Sequence, residues 1–164
     1  MTDRTKQPGI QIAQIFLERA SFAHREDFLT LPVPQGIPSI DFTTDFESGV
    51  SSDGRHGIVR VRARSKPEQR PLYEIDVTMT ALLIVVEGQE NMPLAEYVRA
   101  SGPAMLYTFV RQVVADVTSR GRFGPIWLSP VNVLAVTAGV QPLPLPMPSP
   151  MQRPRPRRAH ARRK

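Results

Sequence analysis

Chemistry near neutral pH needs histidine, cysteine or paired carboxylates in a purposeful arrangement, and this chain offers little of it. His24, His56 and His160 stand far apart, and none has a second ligand or a nucleophile at the spacing of a metal site or a catalytic dyad. They read as surface imidazoles without a role. There is no cysteine, which removes disulfides, thiolate zinc sites and cysteine nucleophiles together and agrees with a reducing compartment. Gly54 and Gly57 lack the preceding strand and following helix of a phosphate loop, so no nucleotide site is expected. No enzyme activity, cofactor or metal follows from these residues.

What remains is adhesive chemistry. Between His24 and Pro38, the apolar residues Phe28, Leu29, Leu31, Val33 and Ile37 are interleaved with Pro32, Pro34 and Gly36. Such a loop supplies apolar area without sequence selectivity, as a surface that grips extended chains needs. The alternative is a cover over the core. At the far end, Arg153, Arg155, Arg157, Arg158, Arg162, Arg163 and Lys164 form a basic run without an acid. It holds seven of the 21 basic residues in a chain of net charge +6, so fourteen remain against 15 acids, a net of about −1. The charge belongs to the tail, which reads as solvated and disordered. If the tail binds, RNA, the ribosome or anionic lipid would be held through charge alone. A nucleic-acid-binding protein is therefore a third reading, opposed by the near-neutral body and its lack of an aromatic and arginine stacking platform.

The elements that must position these residues fit one domain in 164 residues. No apolar run approaches the roughly 20 residues of a membrane-spanning helix. Residues 1–9 read as a flexible, polar N-terminus with no apolar stretch behind it, which predicts a cytoplasmic location. The domain is expected over 10–139. From Gln141 to Pro156 proline recurs at nearly every second position, so 140–164 reads as an extended, polyproline-like linker carrying the basic tail.

Within the domain, strands come first. Tyr73, Ile75, Val77 and Met79 alternate with Glu74, Asp76, Thr78 and Thr80 in a long strand over 71–86. Ile40, Phe42 and Phe46 alternate with Asp41, Thr43 and Asp45, and Val59, Val61 and Ala63 with Arg60, Arg62 and Arg64. Ser51-Ser52-Asp53-Gly54 supplies a turn between these two, and a meander is the simplest order. Residues 10–22 read as a strand that needs a bulge, because Ile15 and Leu17 break the parity of Ile10 and Ile12. After Gly88 the period becomes helical: a short helix around Leu94, Tyr97 and Val98, then one opened by Pro103 and ended by Gly121. Met105, Leu106, Phe109, Val110, Val113, Val114 and Val117 form its apolar stripe.

Several of these segments resemble the SecB export chaperones. Pro103-Ala-Met-Leu-Tyr-Thr-Phe-Val-Arg runs into Val117-Thr-Ser-Arg-Gly-Arg-Phe and Ile126-Trp-Leu-Ser-Pro-Val-Asn-Val133. Ile10-Gln-Ile-Ala-Gln-Ile-Phe, Ser21-Phe22 and Leu72-Tyr-Glu-Ile add the first and fourth strands, so the likeness spans about 10–139. It implies an α+β fold: a four-stranded antiparallel sheet with two helices packed on one face, assembled as a dimer-of-dimers homotetramer. It also implies an ATP-independent holdase that keeps unfolded preproteins competent for translocation and delivers them to SecA. In the family the loop holding Phe28, Leu29, Leu31, Val33 and Ile37 borders the client groove, and Leu72 and Glu74 match the face that receives the basic end of SecA. A family loop often carries tryptophan, whereas the one tryptophan here is Trp127. Two positions where the family places acids hold Arg19 and Ala23, which would repel a cationic partner unless Asp76, Glu18 or Glu26 compensates. SecB-like proteins without that acidic surface instead protect the antitoxin of a toxin–antitoxin pair, the alternative reading here.

Overall fold

A computed structural model describes residues 9–24, 40–66, 73–86, 92–137 and 143–145. Four long strands, β1 (Gly9–His24), β2 (Phe42–Ser51), β3 (His56–Ser65) and β4 (Tyr73–Val86), precede α1 (Leu94–Arg99), α2 (Ser101–Thr118) and α3 (Val133–Thr137). They build the expected antiparallel four-stranded sheet. Its order, however, is β1-β4-β3-β2, so only β2, β3 and β4 form a meander. The two longest strands pair along their whole length, from Gly9 opposite Val86 to His24 opposite Tyr73, and this long ladder places β1 beside β4.

Alternation decides what each face buries. Val59, Val61 and Ala63 of β3 and Tyr73, Ile75, Val77, Ala81 and Leu83 of β4 turn toward the helices and form the core with Leu106, Val110 and Val114 of α2. Two glycines let the helices come close: a Cβ on Gly57 would lie 2.8 Å from Val98 Cγ1 of α1, and one on Gly102 of α2 would lie 2.9 Å from Val59 Cγ2. The bulge foreseen in β1 is present twice, between Ile12 and Gln14 and between Leu17 and Arg19. Each shift restores parity, so Ile12, Ile15, Leu17 and Phe22 stay opposite helix-side residues of β4.

Helix α2 differs from expectation at both ends. It starts at Ser101 after Ala100, with no side-chain cap, and Pro103 occupies the first turn, where its missing N–H costs no helical bond. It closes at Ser119, whose N–H donates to the Ala115 carbonyl at 2.9 Å. Gly121 is not the cap; a Cβ there would lie 2.7 Å from the Tyr73 hydroxyl, so glycine clears space for that ring. Thr118 is buried and bifunctional: its hydroxyl donates to the Val114 carbonyl at 2.7 Å and accepts from the Ile126 N–H at 2.8 Å, tying the returning chain to the helix.

Part of the proline-rich segment is paired. Leu143–Leu145 forms β5, a short strand parallel to β2 at the edge of the sheet, inside the stretch expected to be a linker. Proline is excluded from central strands by its missing donor, yet an edge strand uses donors on one side only.

Candidate functional site

The sheet face away from the helices carries a lattice of ion pairs. The hairpin register sets Asp45 opposite Arg62, Glu47 opposite Arg60 and Thr43 opposite Arg64, so β2 and β3 meet with opposite charges at two of these three pairs. Arg60 bonds Glu47 at 3.1 Å and Glu18 at 3.0 Å, and Arg64 lies 3.4 Å from Asp45. Glu18 reaches this face because it sits at the second bulge of β1, where it also accepts from the Thr80 hydroxyl at 2.8 Å. Asp76 is the other centre: Arg62 grips both its oxygens at 2.9 and 2.7 Å, and Arg19 donates to it at 3.1 Å. A cleft of about 440 Å³ lies over the lattice, lined by Glu18, Arg19, Asp45, Glu47, Arg60, Arg62 and Thr78.

These contacts revise the expectation for Arg19. It does not stand unopposed; it shares the single carboxylate of Asp76 with Arg62, so two guanidiniums meet one negative charge there. Asp76 and Glu18, expected as compensating acids, are themselves bound to arginine. Glu74 lies on the same face, exposed and opposite Ala23 on β1. Leu72, Glu26 and the loop residues Phe28, Leu29, Leu31, Val33 and Ile37 lie outside the described residues. The lattice was missed because the register that joins Arg60, Arg62 and Arg64 to Glu47 and Asp45 appears only once the turn at Ser51–Gly54 is counted across.

The lattice is pH-sensitive in a defined direction. The Arg62 guanidinium, assisted by Arg19, holds the Asp76 carboxyl below the usual aspartate range, and Arg60 does the same for Glu18. A depressed folded-state pKa gives stability that is present above the unfolded value, ~3.9 for aspartate, and lost as pH falls through the folded value. Asp76→Asn is expected to lower unfolding free energy by about 1–2 kcal/mol at pH 7, with the deficit closing at acid pH. Urea titrations at pH 7 and pH 3 measure it. An equal deficit at both would mean that packing, not charge, holds Asp76.

The helix side has apolar surface beyond one core. α2 buries Leu106, Tyr107, Val110, Val114 and Thr118, and beside them Met105, Phe109, Val113 and Val117 form a second stripe at four-residue spacing, in which Met105 and Val113 pack partly against the core and Phe109 is exposed. Phe109 is 44% exposed, and on the same side of the sheet Ile12 and Leu17 of β1 are 45% and 47% exposed. A cleft of about 330 Å³ between Phe22, Asp116, Val117 and Arg120 joins β1 to the end of this stripe. Trp127 is 57% exposed between buried Ile126 and Leu128; the segment is fixed by the Tyr107 hydroxyl on the Ser129 carbonyl at 2.7 Å and Arg111 Nε on the Leu128 carbonyl at 3.0 Å. Among the described residues no cluster of metal ligands is found, and no helix is long and apolar enough to cross a membrane.

The architecture is that of an α+β scaffold with one sheet face under helices and the other open and charged. The family model described as preprotein translocase subunit SecB matches residues 3–139, and the chain belongs to the SecB family. It is 24% identical over 136 residues to a protein-export protein SecB of Azorhizobium caulinodans, covering 82% of this chain and 84% of that one. It is also 24% identical over 151 residues to a SecB of Caulobacter sp., covering 84% and 92%. Among solved structures, the Mycobacterium tuberculosis SecB-like chaperone in complex with a ChAD peptide from the HigA1 antitoxin aligns with a TM-score of 0.50 and 23% identity, over 73% of this chain and 86% of that one, a likeness of fold.

Proposed function

We propose that this SecB-family chain is an ATP-independent holdase that binds unfolded preproteins, keeps them competent for translocation and hands them to SecA. The carrying observation is the exposed Phe109 on the second apolar stripe of α2 together with Ile12 and Leu17, area that one chain buries only in part and that serves self-assembly and client contact. The apolar loop around Phe28, Leu29 and Leu31 is assigned to the client groove. In a dilution assay with a denatured client, the protein is expected to suppress aggregation at near-stoichiometric ratio, unchanged by ATP. Replacing Phe28, Leu29 and Leu31 together by Ser should weaken protection severalfold while the oligomer persists. Full protection by the triple variant would reduce the loop to a core cover.

A second reading, a chaperone that shields the antitoxin of a toxin–antitoxin pair, is favoured by the open face. Its arginines occupy Asp76, Glu18, Glu47 and Asp45, leaving little acidic potential for the cationic end of SecA.

A further inference from the structure

A sheet edge accepts another strand only through main-chain groups that point outward. Lys66 N–H donates to the Asp41 carbonyl at 3.0 Å, in line with the pairing of Phe42 with Ser65, so the odd-numbered residues of β2 bond to β3. The even-numbered ones, Phe42, Thr44, Phe46, Ser48 and Val50, therefore aim their amides and carbonyls at the outer edge. Strand β5 docks there with Pro144 opposite Val50. Pro144 has no N–H, so the parallel ladder runs from Val50 N–H to the Leu143 carbonyl and from Leu145 N–H to the Val50 carbonyl. Prolines 142, 146 and 148 repeat the parity of Pro144 in the sequence. A strand with this pattern keeps its donors on one side, so it closes an edge without creating another.

We propose that the outward edge of β2 is an acceptor site for extended, unfolded polypeptide in parallel main-chain register, and that 143–145 is its resident occupant, which a client must displace. Main-chain pairing is indifferent to side-chain sequence, as a receptor for many unfolded chains requires. The client half rests on the holdase reading; the docking of the resident segment does not.

The test uses the full chain carrying Leu145→Pro, which removes the N–H given to Val50 and touches no long strand or helix. Hydrogen exchange at the Val50 amide is expected to quicken about tenfold. A fluorescent, reduced and alkylated unfolded protein should bind the variant severalfold more tightly, because a resident occupant lowers apparent affinity by the fraction of closed edge. A synthetic peptide of residues 141–147 added to the variant should restore Val50 protection. Unchanged exchange at Val50 overturns the docking. Faster exchange with unaltered binding of the unfolded probe overturns the client role of the edge. If neither parent nor variant holds the probe, the holdase reading fails, and the peptide arm alone then decides: restored protection supports the acceptor edge, and none overturns it.

Discussion

The protein is expected to run as a tetramer of about 73 kDa, four chains of 18.3 kDa, and Phe109→Asp is expected to break it into smaller species. Phe109 is the half-exposed centre of the stripe Met105, Phe109, Val113 and Val117, on the side of the sheet where Ile12 and Leu17 are also open. Burying an unpaired carboxylate in that setting costs about 3 kcal/mol or more for each copy, and closed symmetry repeats the cost at every equivalent contact. The fold itself should survive, since the core rests on Leu106, Val110 and Val114. Light scattering across micromolar concentrations, with circular dichroism as the folding control, reads both. A monomeric parent would sink the assembly, and a Phe109→Asp variant that stays tetrameric would move the interface off this stripe.

How far the sequence announced this arrangement differs element by element. β3 and β4 were legible because Val59-Arg60-Val61-Arg62 and Tyr73-Glu74-Ile75-Asp76 alternate apolar and charged residues, a pattern only a half-buried strand can place. β1 was legible up to its bulge; that there are two, and that the second lifts Glu18 into the arginine lattice, depends on register against β4. The apolar arc of α2 was read as one stripe, but the sheet covers only part of it, and periodicity does not distinguish residues buried within a chain from those left for a neighbour. Proline at 144 argued against a central strand correctly; it did not forbid an edge, where one side of the backbone is enough.

The final prediction tests the motor contact. Arg19→Asp with Ala23→Glu should tighten binding to the cationic end of SecA about tenfold or more at low salt, and Glu74→Lys should abolish what binding the parent has. The double change makes the face more negative by three charges and removes one of the two arginines on Asp76. Ala23→Glu also sets a carboxylate directly across from Glu74, a like-charge pair that costs up to about 1 kcal/mol of stability, so the melting point must be compared alongside. Anisotropy at two ionic strengths separates attraction from packing, because exposed charges lose their reach beyond about 10 Å at 0.1 M salt. The basic run from Arg153 to Lys164 carries the same sign as the partner, so a parallel chain with those arginines and the lysine replaced by Gln removes competing repulsion without shortening β5. If the restored variant binds no better in either background, the lattice is not a docking surface for the motor. The arginines on Asp76, Glu18 and Asp45 would then favour the antitoxin reading, in which this face need not meet a cationic partner at all.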